Sequence, residues 1–157
     1  MIRKKRILRF IPMIIMMIVI FVFSAMPGDE SGNTSGSILA VIVQIIEKIT
    51  GSMITEDTMN IMHLILRKCA HFTEYMMLGI TTVIALYDRN KKLVRNLLIP
   101  LVIVILYAVT DEIHQYFVPD RACAALDVFI DSCGGFTGVM LSLLYIKIGK
   151  KIAIFRT

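Results

Sequence analysis

Four long apolar runs constrain this chain more than any other feature. They cover approximately Phe10–Met26, Lys68–Tyr87, Leu97–Val118 and Leu126–Ile146. Each run approaches the roughly 20 residues that an α-helix needs to cross the hydrocarbon core of a bilayer. The chain is also 57% hydrophobic, which is more than a small soluble globule can bury. We therefore predict a single all-α membrane domain over residues 1–157, with four transmembrane helices.

The basic residues predict how these helices are oriented. They cluster before the first run, between the second and third, and after the fourth, so four crossings place 13 Lys and Arg on one side and 4 on the other. Because cytoplasmic loops carry such an excess, we expect a multi-pass protein of the cell membrane with both termini in the cytoplasm. The net charge of +5 is thus a topology signal, and we predict no nucleic-acid partner.

The segment between the first two runs divides into two parts. Pro27–Ser37 is rich in turn-forming residues and is expected to be an exposed loop. Ile38–Ile49 is apolar but too short to span, which favours an additional interfacial or re-entrant helix. Gly51 is expected to end this helix, and the next helix is expected to begin near Thr58 and continue into the second crossing.

The three cysteines are too few for a zinc pattern or a disulfide framework. The topology places Cys69 and Cys123 near the same face of the membrane, so one disulfide is allowed. We expect buried, inert thiols instead.

Ionisable residues inside the apolar runs predict the functional site, because such residues are costly in a membrane and usually face a partner, a cavity or a substrate path. On the second crossing helix, Arg67, His71 and Glu74 are spaced to share one face. Asp111, His114 and Gln115 occupy the outer half of the third, where Asp111 and Gln115 share one face. Glu112 is turned away from that face and is expected to make a helix–helix contact. The fourth helix and the loop before it add the last three candidates, Arg121, Asp127 and Asp131. The topology places all nine residues in one outer layer. On the fourth helix, Gly134 and Gly138 are spaced to let it approach a neighbouring helix closely.

The chemistry of this layer favours an anion. Arg67 and Arg121 match the geometry of phosphate and carboxylate groups and keep their charge when desolvated. Asp111, Asp127 and Asp131 are expected to orient these arginines. A structural ion-pair network that only fixes the bundle is the alternative. For His71 and His114, hydrogen bonds between helices are as compatible with the sequence as a functional role is.

Metal binding is not favoured by the sequence. His71-x-x-Glu74 and Asp111-x-x-His114 each have the i, i+3 spacing that can present two ligands on one helix. The nearby arginines would repel a cation, and no complete zinc-hydrolase signature is present. We therefore predict neither a metal nor a cofactor.

Three ordered blocks resemble the VanZ-like family of small bacterial membrane proteins. The blocks are Arg67-Lys68-x-Ala70-His71-Phe72-x-x-Tyr75-x-x-Leu78-Gly79, Asp111-Glu112-x-x-Gln115-x-Phe117-x-Pro119-x-Arg121 and Asp127-x-x-x-Asp131-x-x-Gly134. They lie within residues 67–138. The resemblance implies a membrane protein related to one that lowers susceptibility to the glycopeptide antibiotic teicoplanin. In this family asparagine is frequent where this chain has Asp131, and glycine is frequent in place of Asp120.

The leading hypothesis is a polar pocket near the outer leaflet. Its ligand would be an anionic lipid, a lipid-linked envelope precursor or a lipoglycopeptide, and glycopeptide tolerance would follow from binding. An alternative is a membrane-embedded enzyme, a hydrolase or transferase acting on a lipid, with His71 or Glu74 as general acid or base. A small transporter is the second alternative.

Overall fold

The helices are visible in a computed structural model that describes residues 7–26, 28–119 and 124–155. These ranges contain five α-helices and no β-strand. We number them α1 (Ile11–Ser24), α2 (Gly28–Thr50), α3 (Glu56–Leu86), α4 (Leu93–Gln115) and α5 (Ala125–Phe155). The predicted all-α membrane architecture is confirmed.

Three helices are long and apolar enough to cross a membrane, namely α3, α4 and the Ala125–Gly149 part of α5. Helix α1 is apolar but has only 14 residues. At about 1.5 Å per residue it is shorter than the hydrocarbon core, which is roughly 30 Å thick. A crossing by the first apolar run therefore stays a prediction.

Hydrogen bonds attach α1 to the other helices. Arg9 Nε donates to the carbonyl oxygen of Ile84, at 2.9 Å, near the end of α3. The last carbonyls of a helix lack partners within the helix and carry partial negative charge, so a cation there is stabilising. The hydroxyl of Tyr107 on α4 donates to the carbonyl oxygen of Met17, at 2.6 Å. Helix α1 thus packs against both α3 and α4.

Helix α2 corrects one prediction. The loop expected over residues 27–37 is wrong for residues 28–37, because α2 begins at Gly28 and continues to Thr50. Leu39 and Val43, one turn apart, are buried, and packing of such a stripe outweighs the weak local preference of turn-forming residues. The helix ends at the predicted place, where Gly51 adopts a positive φ of 67°.

Close packing between α3 and α5 forms the centre of the bundle. A Cβ on Gly134 would collide with the carbonyl oxygen of Phe72, and one on Gly138 would collide with that of Met76. Glycine at these positions lets the two backbones approach directly, as small residues spaced by four do in membrane helices. This close approach of the fourth predicted helix to a neighbour is confirmed.

The apolar core lies between α1, α3 and α4. It is formed by Ile20, Tyr75, Leu78, Val104 and Ala108, and methionines of α1 pack around it. Many large apolar side chains instead face outward on every helix. A continuous apolar exterior is what a bilayer, and not water, solvates.

Candidate functional site

One end of the bundle contains the predicted polar residues of α3 and α5. Lys68 Nζ forms a salt bridge with Asp127 Oδ1 across the two helices. The sequence instead assigned Asp127 to an arginine, so the structure corrects its partner. Lysine is within reach because positions 68 and 127 both lie at the facing edge of their helices. Arg67 is half-buried next to this pair.

Deeper in the bundle, three helices bring together His71, Asp111 and Asp131, which we call the buried cluster. One ligand atom from each residue lies within 4.8 Å of the other two. His71 Nδ1 is 3.7 Å from Asp131 Oδ1. Asp131 is fully buried, and neither of its carboxylate oxygens accepts a hydrogen bond from a residue that the structure describes. The structure therefore brings predicted site residues of three helices into close proximity.

Gln115 and Tyr75 complete the surroundings of the buried cluster. Gln115 Nε2 donates to Asp111 Oδ2 at 3.2 Å, on the shared face that the sequence predicted. Tyr75 is fully buried, and its hydroxyl interacts electrostatically with Asp111 and Asp131. Tyr75 was not among the site residues that the sequence predicted. Its spacing of four residues from His71 is the signal that places it on the same face.

His114 and Glu112 of α4 make contacts outside the buried cluster, although Glu112 also interacts electrostatically with Asp111 and Asp131. The ring of His114 stacks on Phe21 of α1, with ring centroids 4.7 Å apart. Glu112 accepts a hydrogen bond from the backbone N–H of Ala124 at 3.0 Å, immediately before α5 begins. Glu112 thus anchors the start of α5, in line with the helix-contact role expected of it, whereas the structure does not bring His114 into the cluster.

Of the two remaining site candidates, Glu74 and Arg121, the structure describes only Glu74. Glu74 is half-buried and interacts electrostatically with Asp131. Arg121 lies outside the described residues.

The described charges at this end are unequal. The acidic side chains are Glu74, Asp111, Glu112, Asp127 and Asp131, and the basic ones are Arg67 and Lys68. Acidic groups occupy the buried positions, and the two basic groups are partly accessible. The sequence predicted arginines together with carboxylates that orient them, and the described part of the site is acidic inside and basic at its mouth.

Two adjoining spaces open beside these residues. The first, the polar cavity, has a volume of about 40 Å³ and is lined by Leu64, Arg67, Lys68, His71, Asp127, Ile130 and Asp131. The second, the apolar groove, measures about 380 Å³ and is lined by Ile65, Lys68, Cys69, Phe72, Thr73 and Ile130. Lys68 and Ile130 line both. The polar cavity is large enough for water or an ion but not for a whole lipid head group.

The thiol of Cys69 is exposed and free, which corrects the expectation that this cysteine is buried. It lies on the side of α3 that faces the groove. Cys123, with which the sequence allowed a disulfide, is outside the described residues.

Comparison with known families agrees with this geometry. A model of the VanZ/LLP1 family matches residues 10–146, which is most of the chain. The chain belongs to the VanZ/LLP1 family. Several residues on which the VanZ resemblance rests are buried in the bundle, namely Tyr75, Leu78, Gly79, Asp111 and Gln115. No curated protein and no solved structure shows a significant match to this VanZ-type chain.

Proposed function

We propose that this membrane protein binds an anionic amphiphile where the polar cavity meets the apolar groove. The observation that carries the proposal is the pair of residues, Lys68 and Ile130, that line both spaces. An acyl chain would lie in the apolar groove while an anionic oxygen reaches the polar cavity. Ligand sites usually combine a largely apolar wall with a few polar groups that fix orientation.

Arg67 is the residue that would bind the anionic group. Within the described ranges it forms no ion pair, whereas Lys68 beside it is already paired with Asp127. A half-buried guanidinium that lines a cavity is desolvated in part, so an incoming phosphate or carboxylate gains a charge-assisted, bidentate contact. Lys68 then contributes positive potential and keeps Asp127 from repelling the ligand.

The site would face the outer leaflet. The excess of basic residues on the opposite side supports this orientation, with both termini in the cytoplasm. Candidate ligands are an anionic lipid, a lipid-linked envelope precursor and a lipoglycopeptide such as teicoplanin. All three combine an apolar chain with an anionic group. Tolerance of a glycopeptide would follow if binding changed the amount of drug or precursor at the membrane.

A binding titration tests the role of Arg67. The full chain in nonionic detergent is titrated by calorimetry with dioctanoyl phosphatidic acid and, separately, with zwitterionic dioctanoyl phosphatidylcholine. We expect saturable binding of the former, weakened about tenfold or more in Arg67→Gln, because a charge-assisted contact contributes about 1.5–3 kcal/mol. Lys48→Gln removes the same charge from an exposed position of α2 and should bind normally. Equal binding by Arg67→Gln would contradict the proposal.

A second pair of variants tests the apolar groove. Thr73 and Thr110 are both exposed, and each donates a hydrogen bond to a carbonyl of its own helix, but only Thr73 lines the groove. Thr73→Phe should fill the groove and weaken dioctanoyl phosphatidic acid binding about tenfold, since about two methylenes lose their contacts. Thr110→Phe should have no effect. Unchanged binding in Thr73→Phe would place the acyl chain elsewhere.

A further inference from the structure

The carboxylates of the buried cluster have few described partners that compensate their negative charge. Asp131 is fully buried, and its two oxygens accept no hydrogen bond from a described residue. Asp111 is buried as well, and the amide of Gln115 and the hydroxyl of Tyr75, which interact with its carboxylate, are both neutral. A third buried carboxylate, that of Glu112, interacts electrostatically with Asp111 and Asp131. Carboxylates buried so close together are stable only if a cation or protons neutralise them.

The arrangement of the three side chains matches what a metal ion requires. Two atoms that bind one ion at about 2.1 Å lie at most about 4.2 Å apart. His71 Nδ1 and Asp131 Oδ1, at 3.7 Å, are already inside this limit. The whole set of three ligand atoms lies within 4.8 Å, so a small rotation of one side chain completes the set. Each ligand comes from a different helix, and the helices are held in place by the glycine contacts of α3 and α5.

We propose that His71, Asp111 and Asp131 bind a divalent transition-metal ion, such as Zn²⁺ or Mn²⁺. One imidazole and two carboxylates suit these ions, and two negative charges neutralise one dication. Gln115 orients Asp111 through its hydrogen bond, as outer partners of metal ligands commonly do. Since Lys68 is paired with Asp127, one of the two described basic groups at this end is already neutralised.

The position of the polar cavity suggests what the metal ion would do. His71 and Asp131 line this cavity together with Arg67. Three protein ligands leave at least one coordination position of the ion open, as in catalytic and substrate-binding metal sites. This part of the inference rests on the proposed function, because an anionic group held by Arg67 would lie beside that open position.

Metal binding can be measured without any amphiphile. The full chain, purified without a histidine tag and stripped with EDTA, is titrated with Zn²⁺, Mn²⁺ and Mg²⁺ by calorimetry. We expect one Zn²⁺ or Mn²⁺ per chain and weaker Mg²⁺ binding. Asp131→Asn and Asp111→Asn should weaken the binding about 100-fold or more, since loss of even an outer partner of a ligand costs 10–100-fold.

The matched control is Asp57→Asn, which removes an exposed carboxylate in the first turn of α3, far along the helix from the cluster. It should bind the metal as the unaltered chain does. Asp131→Asn is nearly isosteric, and circular dichroism checks that it folds. The inference is overturned if the unaltered chain binds no Zn²⁺ or Mn²⁺, or if Asp131→Asn binds them equally well.

The two proposals fail separately. Absence of metal binding in a chain that still binds phosphatidic acid through Arg67 would overturn only the metal site. Loss of the Arg67 effect in a chain that binds the metal through Asp131 would overturn only the proposed function.

Discussion

The two ends of the bundle formed by α3, α4 and α5 hold their charged residues in opposite ways. At the polar end, which contains the buried cluster and Arg67, carboxylates are buried with few hydrogen bonds. At the basic end, formed by residues 87–92 and the region around Lys147, the charged side chains Arg89, Lys91 and Lys147 are exposed.

At the basic end, the polar groups of Asp88 and Asn96 form hydrogen bonds within the protein. The side chain of Asn96 donates to the backbone carbonyl of Asp88 at 2.9 Å and accepts from the backbone N–H of Asp88 at 3.2 Å. The carboxylate of Asp88 accepts from the backbone N–H of Asn90 at 2.9 Å. This connection is a stable turn that needs no ligand.

Cavity size alone would favour the basic end as the ligand site, in contrast to the proposed binding at the polar end. A cavity of about 470 Å³ lies at the basic end and is walled mainly by Leu93, Leu97, Met140, Leu143 and Leu144, with basic side chains around it. The polar cavity is less than a tenth of that volume. A buried polar group without a partner is the better indicator of function, because burying it lowers stability unless a ligand compensates.

The largest expected effect on stability concerns the close contact between α3 and α5, which connects the two ends of the bundle. Gly138→Leu should lower the free energy of unfolding by about 3 kcal/mol and deplete the folded protein, because the new side chain collides with the backbone of α3. Gly149→Leu near the basic end has open space around its Cβ and should be tolerated. Membrane abundance and thermal unfolding of the two variants measure the difference. Equal stability would show that the helices do not pack this closely.

At the basic end, removal of a polar side chain should destabilise the protein. Asn96→Ala leaves the backbone N–H and carbonyl of Asp88 without these partners, which should cost about 2 kcal/mol. Asn90→Ala alters an exposed side chain whose backbone makes the contact, so it should change little. Thermal unfolding in detergent compares them. A neutral Asn96→Ala would mean that this turn does not depend on the amide.

At the polar end, replacing a buried carboxylate with an amide should instead raise the free energy of unfolding. Asp131→Asn removes a buried charge and adds a donor beside Asp111, so the metal-free chain should gain about 1 kcal/mol while it loses metal binding. Asp57→Asn, exposed in the first turn of α3, should instead lose a few tenths of a kcal/mol. Thermal unfolding in EDTA gives both values. A clear loss of stability in Asp131→Asn would favour a structural network.

The smallest expected effect belongs to the salt bridge at the mouth. Lys68→Met should lower stability by less than about 1 kcal/mol, because both partners are partly accessible. Lys91→Met at the basic end should change nothing measurable. If Lys68→Met lowers the free energy of unfolding by well over about 1 kcal/mol, the Lys68–Asp127 pair is a major structural contact of the bundle.

The sequence predicts the membrane helices well, because their length and apolar composition are set by the bilayer itself. Gly134 and Gly138 also predicted the close contact that the structure shows. The extent of α2 was missed, since the packing of Leu39 and Val43 decides it and no local pattern of residues 28–37 reports that packing. The short length of α1 was missed as well, because an apolar run continues beyond the residues that form the helix.

The site is predictable in its location but not in its pairings. Spacing of four residues correctly joined Asp111 with Gln115, because both lie on one helix. Contacts between helices depend on rotation about each helix axis, which spacing does not give. For that reason the sequence assigned Asp127 to an arginine, included His114 and omitted Tyr75. The spacing argument on metal binding considered pairs along one helix, whereas His71, Asp111 and Asp131 come from three helices.

We propose that the polar end, and not the larger cavity of the basic end, binds an anionic amphiphile. Photo-cross-linking with a phosphatidic acid that carries a diazirine on its acyl chain, followed by peptide mapping, distinguishes the two ends. We expect labelling of the groove residues between Ile65 and Thr73 and of Ile130, reduced in Arg67→Gln. Labelling confined to the basic-end cavity, around Leu93, Leu97 and Met140, would contradict it.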